Sequence, residues 1–121
     1  MTWLADLRVP AATSALRTIR LLVGSVASTV DLTVDAIEDL QMAAAECAAL
    51  VIEAAGADAV LALEVHDLGG AIEVRGSVET DAAAIEVDEL ALLVLSGTVD
   101  AHEVDPGPGA RSFVVRKERR G

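Results

Sequence analysis

The chain has 121 residues, enough for one domain and too few for two separate cores. Hydrophobic residues make up 53% and charged residues 24%, which supplies the apolar surface of a packed core and excludes a disordered chain. With 20 acidic and 9 basic residues the net charge is −11, which repels nucleic-acid phosphates and anionic lipid heads, and Trp3 and Phe113 alone leave little for bases to stack on.

Residues 4–9 read as a short strand that ends at Pro10, whose missing N–H cannot serve a ladder. A helix follows, with Thr13 as its N-cap and Leu16, Ile19, Leu22, Val23 and Val26 forming one apolar stripe; Arg17 and Arg20 lie off that stripe. Ser28, Thr29 and Val30 break the pattern, Asp31 opens a loop, and Thr33 or Asp35 caps a second helix. Ile37, Leu40, Ala44, Cys47, Val51 and Ala55 step by three or four and mark its buried face, with Gly56 as the stop.

From Ala59 the period changes to two. Leu61, Leu63 and Val65, then Ile72, Val74, Gly76 and Val78, mark the inward positions of two antiparallel strands. Residues 66–70 join them as a hairpin turn. An Ala-rich connector over 81–87 leads to a third helix over 88–99 with Leu90, Leu93 and Val94 facing in, and a strand over 101–104 follows. Residues 105–109 form a tight turn before a last strand over 112–116. The order β-α-α-β-β-α-β-β with hairpin neighbours predicts an antiparallel or mixed sheet with its helices on one face.

Cys47 is the single cysteine, so an intramolecular disulfide is impossible and a reducing compartment fits. Its place on the apolar stripe makes it a small core residue rather than a nucleophile. No segment resembles a signal peptide or a bilayer span, and the chain is expected to be soluble and cytoplasmic. His66 and His102 lack partners at ligand spacing, so no metal site is expected. Gly107 and Gly109 are explained by a turn, and the Ser and Thr hydroxyls by capping. Five bases, Arg111, Arg116, Lys117, Arg119 and Arg120, fall in the last eleven residues, leaving residues 1–110 with 4 bases and 19 acids, a net of −15. The chain divides into a single domain over 1–117 and a basic C-terminal tail over 118–121.

The element order and the stretch VDAIEDLQMAAAECAALVI, with Asp35, Ile37, Leu40, Ala43 and Glu46 in the pattern D-x-I-x-x-L-x-x-A-x-x-E, resemble a known family. It is the anti-sigma-factor and serine-kinase branch of the ATPase superfamily of gyrase, histidine kinases and a heat-shock chaperone. The apolar run at 90–95 and residues 110–117 look like that family's closing helix and hairpin, so the resemblance spans essentially the whole chain. It implies an α+β fold: a two-layer sandwich, histidine-kinase-like, with a mostly antiparallel sheet and three helices on one face.

Members of that family that bind ATP carry E-x-x-x-N on the second helix, the Glu as general base and the Asn as a magnesium ligand. The matching pair here is Glu46 and Leu50, and an aliphatic side chain offers no oxygen to a hard cation. Their D-x-G-x-G motif, whose Asp meets the adenine, corresponds to the stretch Arg75-Gly76-Ser77-Val78-Glu79, where Gly76 takes the place of the Asp and the later glycines are missing. Their glycine-rich phosphate lid falls on residues 81–87, which hold no glycine. The resemblance therefore implies Glu46 as a relic general base, Leu50 and Gly76 as degenerate nucleotide positions, and neither cofactor nor metal.

The family's first helix borders the homodimer contact and the sigma-factor surface, and Arg20 matches an arginine used there. Arg17 and Arg20 are accordingly the expected partner-binding residues, as a positive island that meets carboxylates. The function this implies is sequestration of a sigma factor or related partner by a homodimer, with an anti-anti-sigma protein as a possible antagonist. Two alternatives stand beside it: an active serine kinase that uses ATP and magnesium on that antagonist, supported by Glu46, and a non-catalytic scaffolding domain.

Overall fold

A computed structural model describes residues 1–119. Its elements are β1 (Thr2–Pro10), α1 (Ala15–Ala27), α2 (Val34–Ile52), β2 (Val60–Asp67), β3 (Ala71–Val78), α3 (Glu89–Thr98), β4 (Ala101–Asp105) and β5 (Arg111–Glu118). Kind and order are those read from the pattern. The strands form one sheet in the order β1-β2-β3-β5-β4, every neighbouring pair antiparallel.

The period of two decides which face is covered. In register across all five strands, Leu7, Leu63, Gly76, Phe113 and Val104 form one row of the face that packs on the helices. The next row, Asp6, Glu64, Arg75, Val114 and Glu103, belongs to the opposite face and is mostly charged. On that outer face Glu73 is nonetheless only 2% exposed, because Arg75 forks onto both its carboxylate oxygens at 2.9 and 3.2 Å.

α2 lies at the centre of the helical layer, with Leu40, Ala43, Ala44, Cys47, Ala48 and Val51 wholly buried. Small side chains dominate that face and let its neighbours come close. α1 packs on it through Ile19 and Val23, and at Gly24 any Cβ would collide with the side chain of Gln41, which donates to the Arg20 carbonyl at 2.9 Å. Thr33 caps α2 from an extended conformation, accepting from the Ala36 N–H at 3.1 Å.

Several local expectations are corrected. Thr13 is not a cap: α1 starts after Ser14, which has helical dihedrals and makes no side-chain cap bond, while the Thr13 carbonyl accepts from the Leu16 N–H. α2 stops at Ile52, ahead of Gly56, because the chain already turns left-handed at Ala54 (φ 50°). His66 is not in the hairpin turn, since β2 runs on to Asp67, and its ring is buried. Most consequentially, Leu90 and Leu93 do not face in: each is 69% exposed, and Ala91, Leu95 and Thr98 form the buried face of α3. The phase of that helix is set by Asp88, whose carboxylate accepts from the Ala91 N–H at 2.8 Å. An almost uniformly apolar helix carries no periodic signal from which sequence could choose the face.

Candidate functional site

Glu46 and Leu50 stand one turn apart on α2, both half-buried. Leu50 lines a cleft of about 500 Å³ between the end of α2 and the 81–88 segment, together with Glu53, Ile85, Glu86, Asp88 and Arg111. Glu46 stands outside that lining.

The wall of the cleft is Arg111, the first residue of β5. By the alternation of that strand it shares the inward face with Phe113 and Val115, and it is 1% exposed. One terminal nitrogen donates to the carbonyls of Val51, at 3.0 Å, and Glu53; the other donates to the carbonyl of Ala83 at 3.0 Å. The guanidinium thus closes the end of α2, where helix carbonyls lack partners and carry partial negative charge, and ties the 81–87 connector to it. Its Nε is buried and has no hydrogen-bond partner among the described residues. The connector is also held by the Ile85 N–H on the Pro106 carbonyl at 3.0 Å, and Thr80 before it donates to the Ala55 carbonyl at 2.6 Å.

Gly76 sits in the middle of β3, buried and directly opposite Phe113. A Cβ at Gly76 would run into the Phe113 ring, which occupies the space a side chain would take. The glycine is explained by this packing alone.

The cleft joins the carboxylates of Glu53, Glu86 and Asp88 to one cation whose terminal donors are already directed at carbonyls. Such a lining disfavours a polyphosphate. Leu50 offers no oxygen to a hard cation, and the Phe113 ring occupies the space beside Gly76. Among the described residues no group of three His, Cys, Asp or Glu side chains gathers as a metal site. Beside Glu46, Cys47 is wholly buried and its thiol is pushed up to about 12, first by burial and then by the Glu46 charge, so it is an inert core residue.

Arg17 and Arg20 are exposed on α1, and among the described residues neither has a carboxylate within salt-bridge distance. Leu21, on the same face as Arg17 by helical spacing, is 63% exposed. Two of the C-terminal bases are held by side chains and carbonyls of the body. Lys117 reaches Asp39 at 3.2 Å and the Thr98 carbonyl at 2.7 Å, and Arg119 reaches Asp67 at 2.6 Å. Arg120 and Gly121, the end of the expected tail, lie outside the described residues.

Arg111 is the residue that sequence reasoning missed. Its signal was present: with Phe113 and Val115 inward by period two, an arginine at the same parity must be buried and needs carbonyls or carboxylates to hold it.

No family model and no curated protein matches the sequence. Among solved structures, the chain is similar to the crystal structure of the RsbU and RsbW domains of Rv1364c from Mycobacterium tuberculosis, with a TM-score of 0.66 and 19% identity. The match covers 94% of this chain and 32% of that one, so the present chain spans about a third of the protein it resembles. The likeness is one of fold: an α+β sandwich with a five-stranded antiparallel sheet and three helices, as the sequence resemblance implied. Among the described residues no helix is long and apolar enough to cross a membrane.

Proposed function

We propose that this chain is an anti-sigma-factor-like regulator that binds and sequesters a sigma factor or a related partner by protein-protein contact, as a homodimer and without nucleotide chemistry. The observation that carries the reading is the fold, which matches a structure containing an RsbW domain over almost the whole of this chain. Arg17 and Arg20, exposed on α1 and without an ion-pair partner among the described residues, support a surface that meets carboxylates of a partner. Loss of nucleotide chemistry is supported by three features that act together: Leu50 where a magnesium ligand would stand, Phe113 over Gly76, and the connector laced to α2 by Arg111. Release of the partner would then come from a competing protein rather than from phosphorylation.

The serine-kinase reading rests on Glu46, retained at the place of a general base. Calorimetric titration with ATP and ADP, with and without magnesium, decides between the two when paired with a thermal-shift assay. No heat and no shift at millimolar nucleotide is the expected result. Micromolar magnesium-dependent binding, with phosphate transfer to an antagonist protein that Glu46→Ala abolishes, would establish the kinase instead. The regulator reading is tested by the affinity of the wild-type chain for a co-encoded sigma factor; absence of any complex would overturn it.

A further inference from the structure

The exposed face of α3 is the feature that the fold leaves unexplained. From Leu90 to Thr98 the helix carries no charge, and its buried face is already complete with Ala91, Leu95 and Thr98 packed inward. Leu90 and Leu93, one turn apart on the other side, are left in solvent at 69% exposure each, with Leu92 also exposed. A helix apolar on all sides is a helix meant to be covered on all sides.

The surroundings say what kind of group covers it. Glu86, Asp88 and Glu89 crowd the start of α3, Glu89 sharing a face with Leu93 by helical spacing, and Glu53, Glu79 and Asp81 continue the acidic ground over the adjoining α2 end and connector. All six are exposed, and among the described residues none has a lysine, arginine or histidine within salt-bridge distance. Two copies of this face brought together would oppose acid to acid in a chain of charge −11, so a second copy is a poor occupant.

We propose that the Leu90–Leu93 face of α3 and its acidic margin form a docking surface for a basic amphipathic helix of a partner protein, apolar side on the leucines and lysines or arginines on the carboxylates. The proposal rests on the reading of this chain as a protein-binding regulator and adds a second contact surface, on a different element from Arg17 and Arg20.

The test uses the full chain and a designed peptide of about five helical turns, leucines on one face and lysines on the rest, followed by fluorescence anisotropy. A scrambled peptide of equal composition controls for plain charge attraction. Leu90→Ser with Leu93→Ser should weaken binding at least about tenfold, and Met42→Ser, which removes an exposed apolar side chain from α2, should leave it unchanged. Circular dichroism confirms that the variants stay folded, and binding should weaken as salt rises from about 50 to about 500 mM. Equal affinity of wild type and the double serine variant, or equal affinity for the scrambled peptide, would overturn the proposal. So would sedimentation showing a dimer that the double serine variant dissociates, since the face would then belong to a second copy. A failed peptide assay beside intact sigma-factor binding by the same preparation removes this surface alone and leaves the regulator reading standing.

Discussion

Arg111 at the start of β5 donates to the carbonyl of Val51 at the end of α2, 3.0 Å away and 60 residues earlier in the chain. The same guanidinium holds Glu53 and Ala83, so one buried cation fastens the sheet, the central helix and the connector that precedes α3. Replacing it with Met keeps much of the volume and leaves the carbonyls of Val51, Glu53 and Ala83 without this donor. Hydrogen bonds to a charged group contribute about 1.5–3 kcal/mol each in mutational series, and part of the loss is recovered by relaxation and water. Arg111→Met should lower the unfolding free energy by about 2–4 kcal/mol in urea denaturation, with Arg111→Lys intermediate because a single ammonium cannot serve both sides of the fork.

Gly76 faces Phe113 across the β3–β5 ladder with no room for a methyl group between them. Gly76→Ala should destabilise by about 1–3 kcal/mol through overpacking. Adding Phe113→Leu should offset part of that cost, so the double mutant loses less than the two single losses added together. Strict additivity in chemical denaturation would show that the ring does not press on the glycine.

Cys47 gives a pH signature with a definite sign. Burial, and then the Glu46 charge, push its thiol up to about 12 from an ordinary value of 9.0, so between those values the unfolded chain has released a proton that the native one keeps. Stability from this group is complete below the unfolded pKa and falls as pH rises through that window, by about 1.4 kcal/mol per unit at most. Cys47→Ala should flatten the decline of stability above pH 9 relative to wild type. At neutral pH the native thiol should react with an alkylating reagent only at the rate of unfolding, whereas fast stoichiometric labelling would contradict its burial.

Arg17 and Arg20 separate function from stability. Both are exposed and unpaired among the described residues, so replacing both with Ala should change stability by no more than about 0.5 kcal/mol. The same variant should weaken sigma-factor binding by tenfold or more, about 1.4 kcal/mol, in a titration at low salt. Unchanged affinity would remove α1 from the interface.

Asp88 tests the start of α3. Its carboxylate is the N-cap acceptor of the Ala91 N–H, and Asp88→Ala should cost about 1 kcal/mol, while Asp88→Asn, which keeps an acceptor oxygen, should cost less. Thermal unfolding followed at the helical ellipticity measures both.

Element order and type were legible because each segment carries its own local signal. Leu61, Leu63 and Val65 alternate, Ile19 and Val23 recur at helical spacing, and Thr33 stands one residue before a run of helix formers. The acidic charge and the single cysteine likewise needed no coordinates. Where local signal was absent the reading failed. The phase of α3 could not be taken from a segment apolar on every side, and His66 was put in a turn because the glycines two and three residues on from Asp67 drew the boundary too early. The site was legible only in part. Leu50 reads directly as a side chain without an oxygen to offer, whereas Gly76 alone does not reveal that a phenyl ring lies against it.

The sequence by itself thus determined an acidic α+β chain and the kind and order of its eight elements, since these depend on composition and on periods of two and 3.6 within short windows. Tertiary structure decided which groups meet across long separations. The pairing of β3 with β5, on either side of α3 and β4, puts Phe113 on Gly76 and carries Arg111 beneath the end of α2. Packing of Ala91, Leu95 and Thr98 inward is what leaves Leu90 and Leu93 on the surface. Both outcomes follow from the same physical fact: a period tells which residues share a face, and only the packed neighbours tell which face is turned toward water.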